Sequence, residues 1–370
     1  MPYYPEHTFI LGLATIRRER RLPPGAFGEA VVREHQRVEA SEVVLRGSVP
    51  GRYVILEALG PLGLRVGDVL ADEWFQARVG EQVKKGQVIA ARGKGRGAKT
   101  LKAPVDGIMA RIDEGQVILQ ATPQPVEVYA MCPGEITSVR PQEVLLETYG
   151  ALIQCAWGNG KRTYGIYKPE PPEGIESLKG EALLQAYRST AIVMTRPIAS
   201  TLIFNVAFEQ EITALIAPSM HADLREAALR QPIPIILTEG FGEQQMSEIV
   251  YNLLRDNVGR PALIDATEPV RWTSSRPEII IPLPSGGQLP PVPEMDQPLV
   301  EGSIVRLTRA PYTGMTGRVR QLPDSPRAVE NGLRLAGAEV QLSSGRTVFV
   351  PLANLELLGR AADAPGTGGT

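Results

Sequence analysis

Residues 79–120 read VGEQVKKGQVIAARGKGRGAKTLKAPVDGIMARIDEGQVILQ, and this stretch decides the N-terminal fold. Val83, Val88 and Ile89 are β-formers on either side of the turn pair Gly86-Gln87. Asp106-Gly107 marks a second turn, since such a pair accepts positive φ. Beyond it Ile108, Ala110 and Ile112 alternate with Met109 and Arg111, and Val117 and Leu119 repeat the rhythm after Gly115-Gln116. Period-two alternation in short runs between glycines predicts half-buried strands joined by tight turns.

The order of these parts, a V..G..V..GQ.I half, a glycine-marked hairpin and then APVDG, resembles the biotinyl/lipoyl-type barrel-sandwich hybrid. Carrier members present a lysine between two methionines at the hairpin apex. Here the apex falls on Gly95-Arg96-Gly97, and Lys94 and Lys99 have no flanking methionines. A guanidinium stays protonated at any working pH and does not acylate as an amine does. The resemblance therefore implies the fold without the modified lysine, and no cofactor is expected. The motif also has an echo. Val38-Glu-Ala-Ser-Glu-Val43 aligns with Val83-Lys-Lys-Gly-Gln-Val88, and Cys132-Pro133-Gly134 through Val144-Leu145-Leu146 aligns with Ala103-Pro104 through Val117-Ile118-Leu119. Two similar halves of one barrel are the expected cause.

Residues 1–170 are thus expected to be all-β. Arg17-Arg18-Glu19-Arg20-Arg21 reads as a solvated strand edge. Gly158-Asn159-Gly160, between ALIQCAW and RTYGIY, predicts a hairpin. Trp157, Tyr164 and Tyr167 near it suit either cross-strand packing or an aromatic contact surface. A stiff Pro-Glu-Pro-Pro-Glu linker follows Lys168.

In residues 178–285 the texture changes. Apolar runs at 190–195, 212–218, 232–238 and 260–265 alternate with helix-like segments, which predicts a doubly wound, parallel, Rossmann-like α/β domain of four strands. Pro197 reads as a first-turn helix residue, Ser219 as an N-cap, and Glu239-Gly-Phe-Gly242 as a turn entering a helix. Ligands in such sheets sit beyond the carboxyl ends of the strands. The candidates there are Thr195, Arg196, Ser219, Met220, Thr238, Glu239, Gly240, Phe241 and Gly242. The glycine turn lacks both a dinucleotide fingerprint and a P-loop lysine.

Residues 286–298 are a Pro/Gly linker. Residues 299–360 then resemble the KOW/Tudor-like small barrel, on Gly302, Ile304-Val305-Arg306-Leu307, Pro311-Tyr312-Thr313-Gly314-Met315-Thr316-Gly317, Val319, Ser344-Gly345-Arg346 and Asn354-Leu355-Glu356. Such barrels contact RNA, ribosomes or proteins. This one carries eight arginines, no lysine and five carboxylates, a composition suited to phosphate contact and base stacking. Arg306, Arg309, Arg318 and Arg320, with Tyr312 as a stacking platform, are the candidate nucleic-acid contacts. Residues 361–370 read as a disordered tail.

Composition fits a multidomain protein: 370 residues, 43% hydrophobic, formal net charge -2, with 37 glycines and 32 prolines. The net charge gives no global pull toward nucleic acid or anionic membrane. Two cysteines, Cys132 and Cys155, and three scattered histidines make neither a disulfide framework nor a metal site. The first residues, apolar before basic, do not read as a signal peptide, and no run is long enough to span a membrane. The sequence expectation is a cytoplasmic, non-enzymatic adaptor or scaffold touching protein or RNA through its C-terminal barrel. A small-ligand sensor or enzyme at the Glu239–Gly242 crevice is the alternative, and no catalytic residue stands out. Intact-mass measurement of native protein is expected to match the unmodified chain; a mass excess of biotin or lipoate on Lys94 or Lys99 would reject the reading of the apex.

Overall fold

The computed structural model describes residues 2–65, 67–93, 95–113, 115–178, 185–269, 275–285, 289–293, 297–329 and 332–359. Lys94, the Arg96 side chain, the start of the helix expected at 181–189, Arg360 and the expected disordered tail lie outside that description. The fold is strand-rich, with a large mixed sheet and a smaller α/β portion. Along that sheet run, in order, Trp157–Gly158, Ile235–Phe241, Ala214–Met220, Ala191–Val193, Arg162–Pro169, Pro261–Asp265, Glu278–Pro282, Glu143–Gln154, Glu6–Arg21, Leu355–Gly359, Ile304–Leu307, Thr316–Gln321, Gly337–Leu342 and Thr347–Pro351.

The echo in the sequence comes from two copies of one unit, nested, rather than from two halves of a barrel. In the inner copy Gln82–Val83 pairs with Gly107–Asp113 through Val83↔Gly107, and that strand forms a hairpin with Gln116–Ala121, which pairs with Tyr53–Glu57. In the outer copy Arg37–Val38 pairs with Gly134–Arg140 through Val38↔Gly134, and that strand forms a hairpin with Glu143–Gln154, which pairs with Glu6–Arg21. Loop bonds repeat as well. Gly80 and Glu81 exchange backbone bonds with Met109, as His35 and Gln36 do with Ile136. The Arg78 amide donates to the Glu81 carboxylate at 2.9 Å, as the Arg33 amide donates to the Gln36 carboxamide at 3.0 Å. Gly107 and Gly134 open equivalent hairpins, and a Cβ at either would lie 2.2 or 2.4 Å from the facing carbonyl, of Gln120 or Glu147. Each position therefore requires glycine.

The copies differ at one hairpin. Val88–Arg92 turns through Gly95–Gly97 into Lys99–Lys102, so the Gly-Arg-Gly segment does sit at a hairpin tip. Lys99 is packed against Gly63. The matching outer strands, Val43–Val49 and Gln124–Tyr129, also pair antiparallel, with Val49 opposite Gln124. Between them lies the whole inner copy. Its apolar side chains, among them Leu62, Val83, Ile89, Met109, Val117 and Leu119, form their own core. The outer copy is built on Phe9, Ile16, Leu45, Ile136, Leu146 and Leu152.

Glu143–Gln154 shows why the two halves of the sheet read differently. Its first half alternates buried and half-buried residues, and its second half is buried almost continuously from Gly150 to Ile153. Alternation goes with one wet face, continuous burial with two covered faces. Next to that second half the α/β strands add a further core of Tyr167, Ile216, Ile236, Leu254 and Ile264.

Several expectations for the α/β region change. The parallel strands are Arg162–Pro169, Ala191–Val193, Ala214–Met220 and Ile235–Phe241. Pro261–Asp265, expected as the fourth parallel strand, is antiparallel to both Arg162–Pro169 and Glu278–Pro282. The linker after Lys168 therefore runs within the α/β unit instead of bounding it. Asn159-Gly160 makes no hairpin, because Trp157–Gly158 pairs with Ile236 and Leu237 while Arg162–Pro169 pairs elsewhere. The buried Asn159 amide instead donates to the Ala228 and Ile233 carbonyls at 3.0 and 2.9 Å and accepts from the Ile235 amide at 3.0 Å. Helices begin later than expected, at Leu202 rather than Pro197 and at Glu248 after the turn. Trp157 and Tyr167 are buried, so these aromatics pack rather than present a surface.

The C-terminal unit is an antiparallel meander of Leu355–Gly359, Ile304–Leu307, Thr316–Gln321, Gly337–Leu342 and Thr347–Pro351 around Val305, Val319, Val340 and Leu357. It joins the rest through parallel pairing of Glu6–Phe9 with Glu356–Gly359. Because Val49 and Gln124 are cross-strand partners and the inner copy owns its core, replacing residues 50–123 with an Asn-Gly turn is expected to leave a soluble protein. Its circular dichroism should show one cooperative thermal transition; aggregation or a non-cooperative melt would show that the outer copy needs the inner one.

Candidate functional site

The carboxyl ends of the parallel strands are where the candidates gather, and they meet another part of the chain there. The Ile235–Phe241 strand continues through Glu239 and Gly240, so the expected turn is strand, pairing Ser219 with Gly240 and Met220 with Phe241. The φ of +100° at Gly240 and +120° at Gly242 explains the two glycines. Ser219 is buried in Ala214–Met220 rather than capping a helix, and its hydroxyl donates to the Gln244 carbonyl at 2.8 Å. Thr195 is exposed and donates through amide and hydroxyl to Glu170, at 2.8 and 2.6 Å; Arg196 beside it is exposed. Phe241 packs edge-on against Trp157, ring centroids 5.3 Å apart.

Glu239 does not face an open crevice. One carboxylate oxygen accepts from the Ser247 amide at 3.1 Å, and the other meets Arg306 of the C-terminal unit at 2.9 Å. Arg306 also donates to the Thr238 carbonyl at 3.3 Å and pairs with Glu356 through Nε at 2.8 Å and Nη2 at 2.6 Å. The Thr8 hydroxyl donates to the other Glu356 oxygen, which Arg276 reaches at 3.2 Å. Arg306 is therefore a buried tie between two carboxylates from different units, not the exposed nucleic-acid contact expected of it. Burial lowers the pKa of its guanidinium, but Glu356 and Glu239 outweigh burial and hold it above its ordinary value. Burial likewise raises the Glu356 carboxyl, yet Arg306, the Thr8 hydroxyl and Arg276 bring it below the ordinary glutamate value.

Three buried atoms around this tie, Thr238 Oγ1, Ser247 Oγ and Gln244 Oε1, have no hydrogen-bond partner among the described residues. Beside them a cavity of about 560 Å³ is lined by residues 243–248 and 313–316 and by Ser343.

The other candidates divide between two places. Arg309 and Tyr312 line a groove of about 630 Å³ on the C-terminal unit, together with Pro311, Leu335, Arg346 and Phe349. Arg346 lies over the Tyr312 ring at 6.0 Å, and Arg327 lies over Phe349 at 5.6 Å while paired with Glu339. Arg318 and Arg320 are exposed on Thr316–Gln321 outside that groove, donating to the Gly302 carbonyl and the Gln341 side-chain oxygen.

Sequence reading missed Glu356 as a partner of Arg306, Thr8 as a partner of Glu356, and Phe349 in the groove. The available signal was a single charge inside an apolar strand, as in IVRL and NLELLG. Such a charge is buried only when paired. Among the described residues, no His, Cys, Asp or Glu cluster is arranged to hold a metal. Burial raises the pKa of both thiols, at Cys132 against the pull of Arg20. No helix among the described residues is long and apolar enough to cross a membrane. Neither a protein-family model nor a curated protein matches the chain.

Arg306→Ala would leave the buried Glu239 without a cation and Glu356 with Arg276 alone, and is expected to cost about 3–5 kcal/mol, read from the urea midpoint. Because the folded Glu356 value lies below the unfolded one, its contribution is whole above about pH 4.3, the ordinary glutamate value. It is lost as pH falls through the folded value. Glu356→Gln should therefore reduce stability at neutral pH and flatten its fall in acid; a parallel curve would place the acid sensitivity elsewhere.

Proposed function

We propose that the chain is a non-enzymatic multidomain adaptor or scaffold that holds an anionic partner on its C-terminal unit, single-stranded RNA being the occupant its groove suits best. The groove carries this reading. Arg309, Arg346, Tyr312 and Phe349 line it together, with Arg346 over the Tyr312 ring, and no carboxylate lines it among the described residues. Cations along a backbone track with exposed rings for the bases are what single strands need. The resemblance of residues 299–360 to KOW-type barrels supports it, as does the resemblance of the inner copy to a carrier-type unit without the modified lysine. In this reading the nested pair and the α/β unit act as a rigid mount, with the buried Arg306 tie fixing the groove in place.

A small-ligand sensor or enzyme at the strand ends is a second reading, favoured by the partnerless Thr238, Ser247 and Gln244 atoms. Against it, Glu239 is consumed by Arg306 and the Ser247 amide.

Full-length protein titrated with a short single-stranded RNA over a salt series is expected to bind at low salt, with log affinity falling by roughly 0.7 per phosphate contact for each decade of salt. The pair Arg309→Ala and Arg346→Ala should weaken binding and flatten that slope by about 1–1.5 units, more than the pair Arg318→Ala and Arg320→Ala. No binding at low salt, or an unchanged slope in the groove variant, would leave the unit a protein contact or a purely structural part.

A further inference from the structure

The Arg17–Arg21 run has a use that neither the groove nor the strand ends absorb. The strand places alternate side chains on opposite faces. Arg17 and Arg21 are mostly exposed and pair with Glu147 and Glu143. Arg20 is only 4% exposed and Arg18 is largely covered. Beneath them opens a cleft of about 620 Å³, lined by Arg17, Arg18, Arg20, Arg162 and Arg276 against Glu19, Asp265 and Glu278.

The carboxylates are already engaged. Glu278 is gripped by both arms of the Arg18 fork, with Arg18 Nε at 2.6 Å. Asp265 accepts from the Thr267 amide at 3.1 Å and from its hydroxyl at 2.5 Å, and stands 3.6 Å from Arg162. Glu19 lies 3.2 Å from Arg21. Arg276 is held by Glu356 and Glu6, and Arg17 by Glu147. Arg20 alone of the five lining arginines has no carboxylate at ion-pair distance among the described residues. Its Nε donates to the Ala130 carbonyl at 2.8 Å, Nη1 to the Glu19 carbonyl at 3.3 Å and Nη2 to Cys132 Sγ at 3.8 Å. Those contacts use three of the five N–H groups of a guanidinium.

We propose that this cleft binds a small phosphate-bearing anion, with Arg20 as its buried anchor and Arg162 as its solvent-side clamp. A buried cation without a counter-ion is costly, and an entering anion removes that cost. Burial chiefly, with the like charge of Arg162, holds the Arg20 pKa below its ordinary value against the partial pull of Cys132, Asp265 and Glu278, and an anion opposes both lowering effects. A phosphate group fits better than a single carboxylate because its oxygens accept from several directions at once, matching forks presented by separate strands. The cleft has room for more than orthophosphate, which points to pyrophosphate or a phosphate ester.

Isothermal titration of the full-length protein with inorganic pyrophosphate, at ionic strength balanced with sodium chloride, tests this. Saturable one-to-one binding and a rise in melting temperature are expected. Arg162→Ala, at a half-exposed position, should weaken the affinity about tenfold with its ligand-free melting temperature little changed. Arg20→Lys keeps the charge but loses the fork, and should also weaken binding. Absence of saturable binding at millimolar pyrophosphate, or an unchanged affinity in Arg162→Ala, overturns the proposal. So does displacement of pyrophosphate by short single-stranded RNA that Arg162→Ala abolishes, since the cleft would then belong to a polymer surface. Loss of RNA binding in the groove variants with pyrophosphate binding intact would leave this cleft standing on its own.

Discussion

A guanidinium buried between two carboxylates is the constraint on which the arrangement depends. Arg306 belongs to the C-terminal unit, Glu239 to the α/β strands, and Glu356 to the strand that pairs with the first strand of the chain. None of the three charges would be tolerated in this place alone. Their burial makes the contact specific: an apolar patch tolerates sliding, whereas a fork that must meet both carboxylates accepts one position. The extension of Ile235–Phe241 past Thr238 is part of the same device, because it carries Glu239 to where Arg306 waits.

How much of this could be read from the sequence depended on whether the deciding force was local. The strand-turn-strand rhythm of residues 79–120 is local, and so is its echo at Val38 and Val43; both were legible. That the echo meant a second complete unit was not, because Val49 and Gln124 are joined only by long-range pairing. The alternating α/β texture was legible too. Its fourth strand was misplaced because a buried apolar run such as ALID looks the same in parallel and antiparallel neighbourhoods. Asn159-Gly160 failed for a different reason: its side-chain amide found three backbone partners in the core, so it acts as a connector that holds three segments together.

The candidate residues followed the same rule. Arg309 and Tyr312 do line one groove, as a turn carrying an arginine and an aromatic can place them. Arg306 looked the same in the sequence, but IVRL is apolar on both sides of the charge and its partners lie 50 and 67 residues away. The run Arg17–Arg21 was read as a solvated edge on charge alone. The two-residue period splits it into an exposed pair and a covered pair, and that split was present in the sequence.

The pairing of Glu6–Phe9 with Glu356–Gly359 also bears on the order in which the protein can be completed. Thr8 and Glu356, which bond across it, are 348 residues apart in sequence. At ribosomal speeds of about 5–20 residues per second, the earliest strand is exposed for tens of seconds before its last neighbour exists. Over that interval its edge is a template for any other extended chain. Chaperone dependence during synthesis, and a yield that falls as translation slows, are therefore properties to expect of this topology even though the finished sheet covers that edge.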